Sequence, residues 1–152
     1  MPASGPLMRG RVWHSAAMPK FRHLLAWLLV LLTACASTPD RGDALREAQY
    51  AWSAAIRWGD IDGAWSLVDP EYRAAHPLTS LELERYKQVQ VSRYHELGSQ
   101  AGAETASREI EIGVVNRNTL VQRETRYQEQ WRYDATAERW WITGGLPEFW
   151  KD

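Results

Sequence analysis

The chain has 152 residues, with 18 basic and 19 acidic side chains, nine tryptophans and one cysteine. The formal charge of −1 argues against a nucleic-acid-binding protein, which needs a basic face. A single cysteine, Cys35, excludes a disulfide within the chain.

An apolar run at residues 24–32 precedes this cysteine and follows the basic residues Lys20 and Arg22. Nine helical residues rise only about 14 Å, which is too short to cross a hydrocarbon core of about 30 Å. A basic segment, a short apolar segment and small residues before a cleavage point are typical of a secretory signal peptide. Met18 would begin a compact signal, whereas Met1 or Met8 would give a long segment before the apolar run, so translation could start inside the given sequence.

The residues Leu32-Thr33-Ala34-Cys35 resemble the lipobox of bacterial lipoproteins. This resemblance implies that Cys35 becomes the mature N-terminus and carries fatty acyl chains such as palmitate. It also implies outer-membrane localisation, because Ala36 rather than aspartate follows the cysteine. We expect a signal peptide at residues 1–34, an acylated cysteine with its linker at 35–42 and one domain at 43–150. The mature chain would hold 14 basic and 19 acidic residues, a formal charge of −5.

Three helices are predicted in the first half of this domain. Asp43 is the expected N-cap of the first helix, whose apolar residues recur at spacings of three and four until Gly59 ends it. Asp60 is expected to cap a second, shorter helix that ends before Asp69-Pro70. Residues 71–76 are expected to form one helical turn. A capping box at residues 79–82 then begins the third helix, which runs to about residue 87.

Four strands are predicted after these helices, because the apolar period changes from helical to two. The strands are expected at residues 88–97, 109–115, 119–133 and 139–143, with a loop of small residues at 98–106 and a hairpin turn at 116–118. Within 119–133 the even-numbered residues are nearly all polar, so the odd-numbered residues should form the buried face. Helices followed by an antiparallel sheet indicate an α+β fold.

Residues 51–73, which read AWSAAIRWGDIDGAWSLVDPEYR, resemble the start of nuclear transport factor 2-like domains, and Trp140-Trp141-Ile142 would match their final strand. That superfamily includes SnoaL-like and ketosteroid isomerase-like proteins. The resemblance implies a cone-shaped fold in which about three N-terminal helices pack on a curved four-stranded antiparallel sheet. It also implies a pocket inside the cone and the option of a homodimer through the sheet.

Two charged residues, Arg123 and Glu129, fall on the predicted buried face of the long strand. A buried charge must be paired or face a water-filled cavity. One interpretation is a polar pocket in which Arg123 holds an anionic or carbonyl group. The other is an internal ion pair, or a bulge that exposes both side chains. The pocket candidates are Arg123, Glu129, Tyr127, Trp131 and His95.

The sequence assigns no catalytic residue, metal site or cofactor. His76 and His95 lack the spacing of metal ligands, and helix capping accounts for Asp60 and Asp62. Ketosteroid isomerase-like catalysis requires an aspartate base and a tyrosine–aspartate pair, and no residues here match that set.

The function that we predict is therefore a periplasmic lipoprotein, anchored to the outer membrane through Cys35, whose domain binds a small ligand or a protein without catalysis. The alternatives are a small pocket enzyme of the SnoaL or ketosteroid isomerase-like type, or an envelope immunity, inhibitor or assembly protein.

Overall fold

The computed structural model of the protein describes residues 40–150, so the predicted signal peptide and Cys35 lie outside the described residues. This part of the chain contains four helices rather than the three expected, because residues 70–75 form a short helix of their own. No helix within it is long and apolar enough to cross a membrane. The helices are α1 at Arg41–Trp58, α2 at Ile61–Ser66, α3 at Pro70–Ala75 and α4 at Ser80–Lys87.

The helix ends follow local sequence signals closely. Gly59 adopts the left-handed conformation with φ of 71° and ends α1, as predicted. The Asp60 carboxylate accepts a hydrogen bond of 2.9 Å from the backbone N–H of Gly63, and Thr79 and Glu82 form the expected capping box. The start of α1 was predicted wrongly. The helix begins at Arg41, so Asp43 lies in its first turn. A carboxylate there interacts favourably with the helix dipole.

The four strands form one antiparallel sheet in the order β1-β2-β3-β4. The first two strands are longer than predicted and occupy most of the expected loop at residues 98–106. The turn between β2 and β3 is stabilised by the Asn116 side chain, which accepts hydrogen bonds from the backbone N–H groups of Asn118 and Thr119. The strands are β1 at Val89–Ala101, β2 at Thr105–Asn116, β3 at Gln122–Asp134 and β4 at Arg139–Ile142.

Two irregularities in β1 change which of its side chains face the helices. The pairing of β1 with β2 skips Ser92 and Leu97, so each is an extra residue on β1. A bulge shifts the alternation of side chains by one position. Val91 and Tyr94 are therefore partly buried, whereas His95 is exposed. The bulge therefore places His95, one of the pocket candidates, on the exposed face of the sheet and not on the face that packs against the helices.

The core lies between the helices and one face of the sheet. Alternate residues of β2, including Ile110, Ile112 and Val114, are buried there and face Trp52 and Ile56 of α1 within one apolar cluster. On β3 the odd-numbered residues are the less exposed ones from Thr125 to Trp131, as expected. The opposite face of the sheet is polar and carries ion pairs such as Arg93–Glu111 at 3.2 Å.

A buried aspartate joins α3 to the sheet. Asp69 accepts hydrogen bonds from the backbone N–H of Glu71, at 2.9 Å, and from Arg132 on β3. Burial by itself would raise the pKa of Asp69, but the hydrogen bonds from Arg132 and Glu71 outweigh it and lower that pKa below its ordinary value. The folded state therefore favours the ionised carboxylate.

The Asp69 contacts give a pH-dependent contribution to stability. Because the folded pKa is the lower one, this contribution is complete above the unfolded pKa of about 4 and is lost as the pH falls through the folded pKa. We expect Asp69→Asn to lower the free energy of unfolding at pH 7 by about 1 to 2 kcal/mol. Its stability should also fall less than that of the wild type between pH 5 and pH 2. Urea unfolding across this pH range tests this, with the exposed Asp62→Asn as the control. Equal acid sensitivity of the wild type and Asp69→Asn would contradict it.

Candidate functional site

The most concentrated polar group in the protein interior surrounds Glu129 on β3. Its side chain is fully buried, and strand pairing places Arg108 of β2 directly opposite. The guanidinium of Arg108 donates two hydrogen bonds to the two carboxylate oxygens, from Nε at 2.8 Å and from Nη2 at 2.9 Å. The Trp131 indole N–H donates a third at 2.9 Å, and the Tyr94 hydroxyl donates a fourth. We call these four residues the Glu129 network.

The Arg108 side chain links this network to the rest of the fold. Its guanidinium also contacts the backbone carbonyl of Gln49 on α1 and the carboxylate of Glu96 on β1, each at 3.4 Å. Burial by itself would lower the pKa of Arg108, but the hydrogen bonds and charge of Glu129 raise it. The arginine therefore stays charged and joins α1, β1, β2 and β3.

The Glu129 network is an ion pair whose carboxylate already has its hydrogen-bond donors within the protein. Four donors occupy the lone pairs of the carboxylate, so it is not a free general base. Burial, and then the charge of Glu129, raise the pKa of Tyr94, which keeps the phenol protonated as a donor. Burial also raises the pKa of Tyr127, whose hydroxyl donates to the carbonyl of Gly145 at 2.6 Å.

Aromatic side chains fill the interior beside this network. The ring of Trp52 is stacked on Tyr127 and lies edge-on to Trp131, with a centroid distance of 6.3 Å in both pairs. Trp52 and Trp131 are fully or almost fully buried. Such pairs prefer stacked or edge-to-face geometry and contribute about 0.5–1.5 kcal/mol beyond area burial. These rings therefore fill the interior beside Glu129 in the described part of the chain.

The five pocket candidates divide into two groups. Glu129, Tyr127 and Trp131 are brought together in the interior, whereas His95 lies on the opposite, exposed face of the sheet. Arg123 was expected on the buried face but is exposed, because it lies near the start of β3, beyond the buried part of that strand. It lines a cleft of about 410 Å³ together with Phe149 and Trp150. Whether any of the five binds a ligand stays a prediction.

An ion pair between Arg123 and Glu129 was one of the interpretations left open by the sequence, and the structure separates the two residues. Six strand residues span about 20 Å, so Arg123 and Glu129 cannot reach each other along the strand. The partner of Glu129 is instead Arg108 on the neighbouring strand. The sequence contains a signal for Arg108, because it precedes Ile110 and Ile112 at the same spacing of two. The signal for Tyr94 is hidden by the bulge at Ser92.

An open cleft lies between the end of α1 and β1. Its volume is about 340 Å³. Arg57 and Trp58 line it from the last turn of α1, Gly59 lines it just after that helix, and Val91 and Tyr94 line it from β1. Its remaining lining comes from Ile56, Ile61, Tyr86, Val89, Gln90, Ser92, Arg93, Arg117 and Phe149. We call this the α1–β1 cleft.

No known family model matches the sequence, and a search of curated proteins finds no match. Among solved structures, the chain is similar to a SEC-C motif-containing protein from Rhodopseudomonas palustris, with a TM-score of 0.53 and 17% identity over 66% of this chain and 76% of that one. A SEC-C motif-containing protein from Psychrobacter arcticus gives a TM-score of 0.52 and 7% identity over 71% of this chain and 64% of that one. These two similarities concern the fold alone.

A ketosteroid isomerase-like protein from Erwinia carotovora atroseptica is also among the similar structures. Its TM-score is 0.46, with 21% identity over 70% of this chain and 92% of that one. The similar structures thus include the kind of protein that the sequence resemblance names.

Proposed function

We propose that this protein is a lipoprotein of the bacterial outer membrane, anchored through Cys35, whose domain binds a ligand or a partner protein and catalyses no reaction. The domain would belong to the nuclear transport factor 2-like superfamily. Support for that family comes from the residue pattern at 51–73 and from helices that precede a four-stranded antiparallel sheet.

One observation carries the non-catalytic part of this proposal. The buried carboxylate of Glu129 accepts hydrogen bonds from Arg108, Trp131 and Tyr94. Its oxygens are therefore occupied by donors from the protein itself. A general base needs an oxygen within reach of a substrate proton. The Glu129 network instead supports a structural role for the interior, and binding would occur at an open surface cleft.

The anchor is supported by the apolar run at 24–32 and by Leu32-Thr33-Ala34-Cys35. Several acyl chains hold a protein at a membrane firmly, since each buried methylene contributes about 0.8 kcal/mol. We expect the mature protein from a bacterial envelope to begin at Cys35 and to carry acyl chains. Cys35→Ala should abolish incorporation of labelled palmitate, whereas Ser37→Ala should retain it.

Intact-mass spectrometry of membrane fractions measures both the N-terminus and the acylation. A wild-type protein that carries no lipid would contradict the anchor. The same is true of a mature chain that begins elsewhere than Cys35. Neither result would bear on ligand or protein binding by the domain.

A further inference from the structure

We infer that the α1–β1 cleft is a binding site for a small organic anion with a flat apolar body. This inference rests on the proposed function in that it assumes a ligand-binding domain, and it assigns the site and the chemical class of the ligand.

The charge of the cleft points to an anion. Its lining includes Arg57, Arg93 and Arg117 but no acidic side chain. The guanidinium of Arg93 is already paired with Glu111 at 3.2 Å and Glu124 at 3.8 Å. Within residues 40–150, neither of the other two arginines forms a salt bridge with a carboxylate. The mature chain carries an excess of acidic residues, so an unneutralised basic pair in a cleft is a specific feature.

The guanidinium groups of Arg57 and Arg117 differ in how firmly contacts within the protein fix their positions. Arg117 donates from Nε to the carbonyl of Val89 at 3.3 Å, which fixes its position and leaves both Nη atoms for another acceptor. Arg57 lies in the last turn of α1, where its positive charge interacts favourably with the helix dipole. Arginine binds carboxylate and phosphate groups with paired N–H donors. The cleft therefore offers one anchored arginine, Arg117, and one adaptable arginine, Arg57.

The apolar lining points to a flat, uncharged body attached to that anion. Ile56 and Phe149 are buried and form part of the wall. Trp58 also lines the cleft, yet it is 84% exposed, whereas Trp52 on the same helix is fully buried. The fold does not bury Trp58, so its ring is available to stack on a ligand.

The size of the cleft favours a small molecule. Its volume of about 340 Å³ lies near the lower end of ligand pockets, which run from about 300 to 1,000 Å³. A bicyclic aromatic anion suits that space better than a lipid with two acyl chains. Naphthalene-2-sulfonate is therefore a suitable probe, and the neutral naphthalene-2-sulfonamide is its matched control.

Isothermal titration calorimetry of the full chain in phosphatidylcholine nanodiscs, corrected with empty nanodiscs, tests the inference. We expect the sulfonate to bind about a hundredfold more tightly than the sulfonamide, about tenfold for each of the two arginines. Arg57→Ala and Arg117→Ala should each weaken sulfonate binding about tenfold and leave sulfonamide binding unchanged. Trp58→Ala should weaken both ligands. Arg126→Ala, an exposed arginine on the opposite face of the sheet, should change neither.

Two results would overturn the inference, and they differ in what they say of the proposed function. Equal binding of both probes, unaffected by Arg57→Ala and Arg117→Ala, would leave a ligand site but remove its preference for anions. Heat no greater than that of empty nanodiscs with either probe would remove the cleft as a binding site and count against the proposed binding function as well. Melting temperatures close to wild type, expected for these exposed positions, would show that the variants fold.

Discussion

Replacing Glu129 with alanine should lower the free energy of unfolding by about 3–5 kcal/mol, because the change leaves Arg108 buried without its ion-pair partner. The cost is large because the Arg108 side chain is only 11% exposed and water cannot readily replace the carboxylate. Trp131 and Tyr94 would also lose the acceptor of their hydrogen bonds. Urea unfolding followed by tryptophan fluorescence measures this difference.

The control for this prediction lies on the same strand. Glu124 is exposed and contacts Arg93 at 3.8 Å on the polar face of the sheet. An exposed ion pair contributes about 0.2–1 kcal/mol, so Glu124→Ala should change stability little. If both variants lost the same small amount of stability, Glu129 would not be the structural residue that we describe.

Replacing Trp52 with alanine should destabilise the protein by about 3–5 kcal/mol, the range for removal of a large buried aromatic side chain. Trp52 is fully buried and contacts the rings of both Tyr127 and Trp131. The truncation would leave a cavity between α1 and the sheet. Thermal or urea unfolding measures the effect.

Trp58→Ala is the matched control for Trp52→Ala, because it removes the same side chain from the same helix at an exposed position. Its effect on stability should lie within about 0.5 kcal/mol of zero. A loss of stability as large as that of Trp52→Ala would contradict the assignment of Trp58 to the open rim of a cleft.

The elements with local signals were predictable from the sequence. Gly59 ends α1, Asp60 caps α2, and Thr79 with Glu82 begins α4, because each signal acts within one helical turn. The buried face of β3 was also predictable, since its odd-numbered residues alternate with polar ones. These features gave the α+β class and the four-stranded antiparallel sheet.

The candidate site was predictable only in part, because it depends on pairing between distant segments. Glu129 was identified as a buried charge, but its partner Arg108 is 21 residues away and meets it through the register of β2 and β3. The bulge at Ser92 reversed the faces of Tyr94 and His95, and nothing in the residue pattern marks it. The α1–β1 cleft likewise combines residues from the start, middle and end of the domain.

A double-mutant cycle on Arg108 and Glu129 tests most directly whether the interior of this domain is structural rather than catalytic. We expect Arg108→Met and Glu129→Leu each to lower the free energy of unfolding by about 3–5 kcal/mol, since each strands a buried charge. The double variant should lose much less than the sum, with a coupling energy of at least about 2 kcal/mol. Higher stability in Glu129→Leu, with additive effects, would contradict the account and indicate a carboxylate retained for chemistry at a cost in stability.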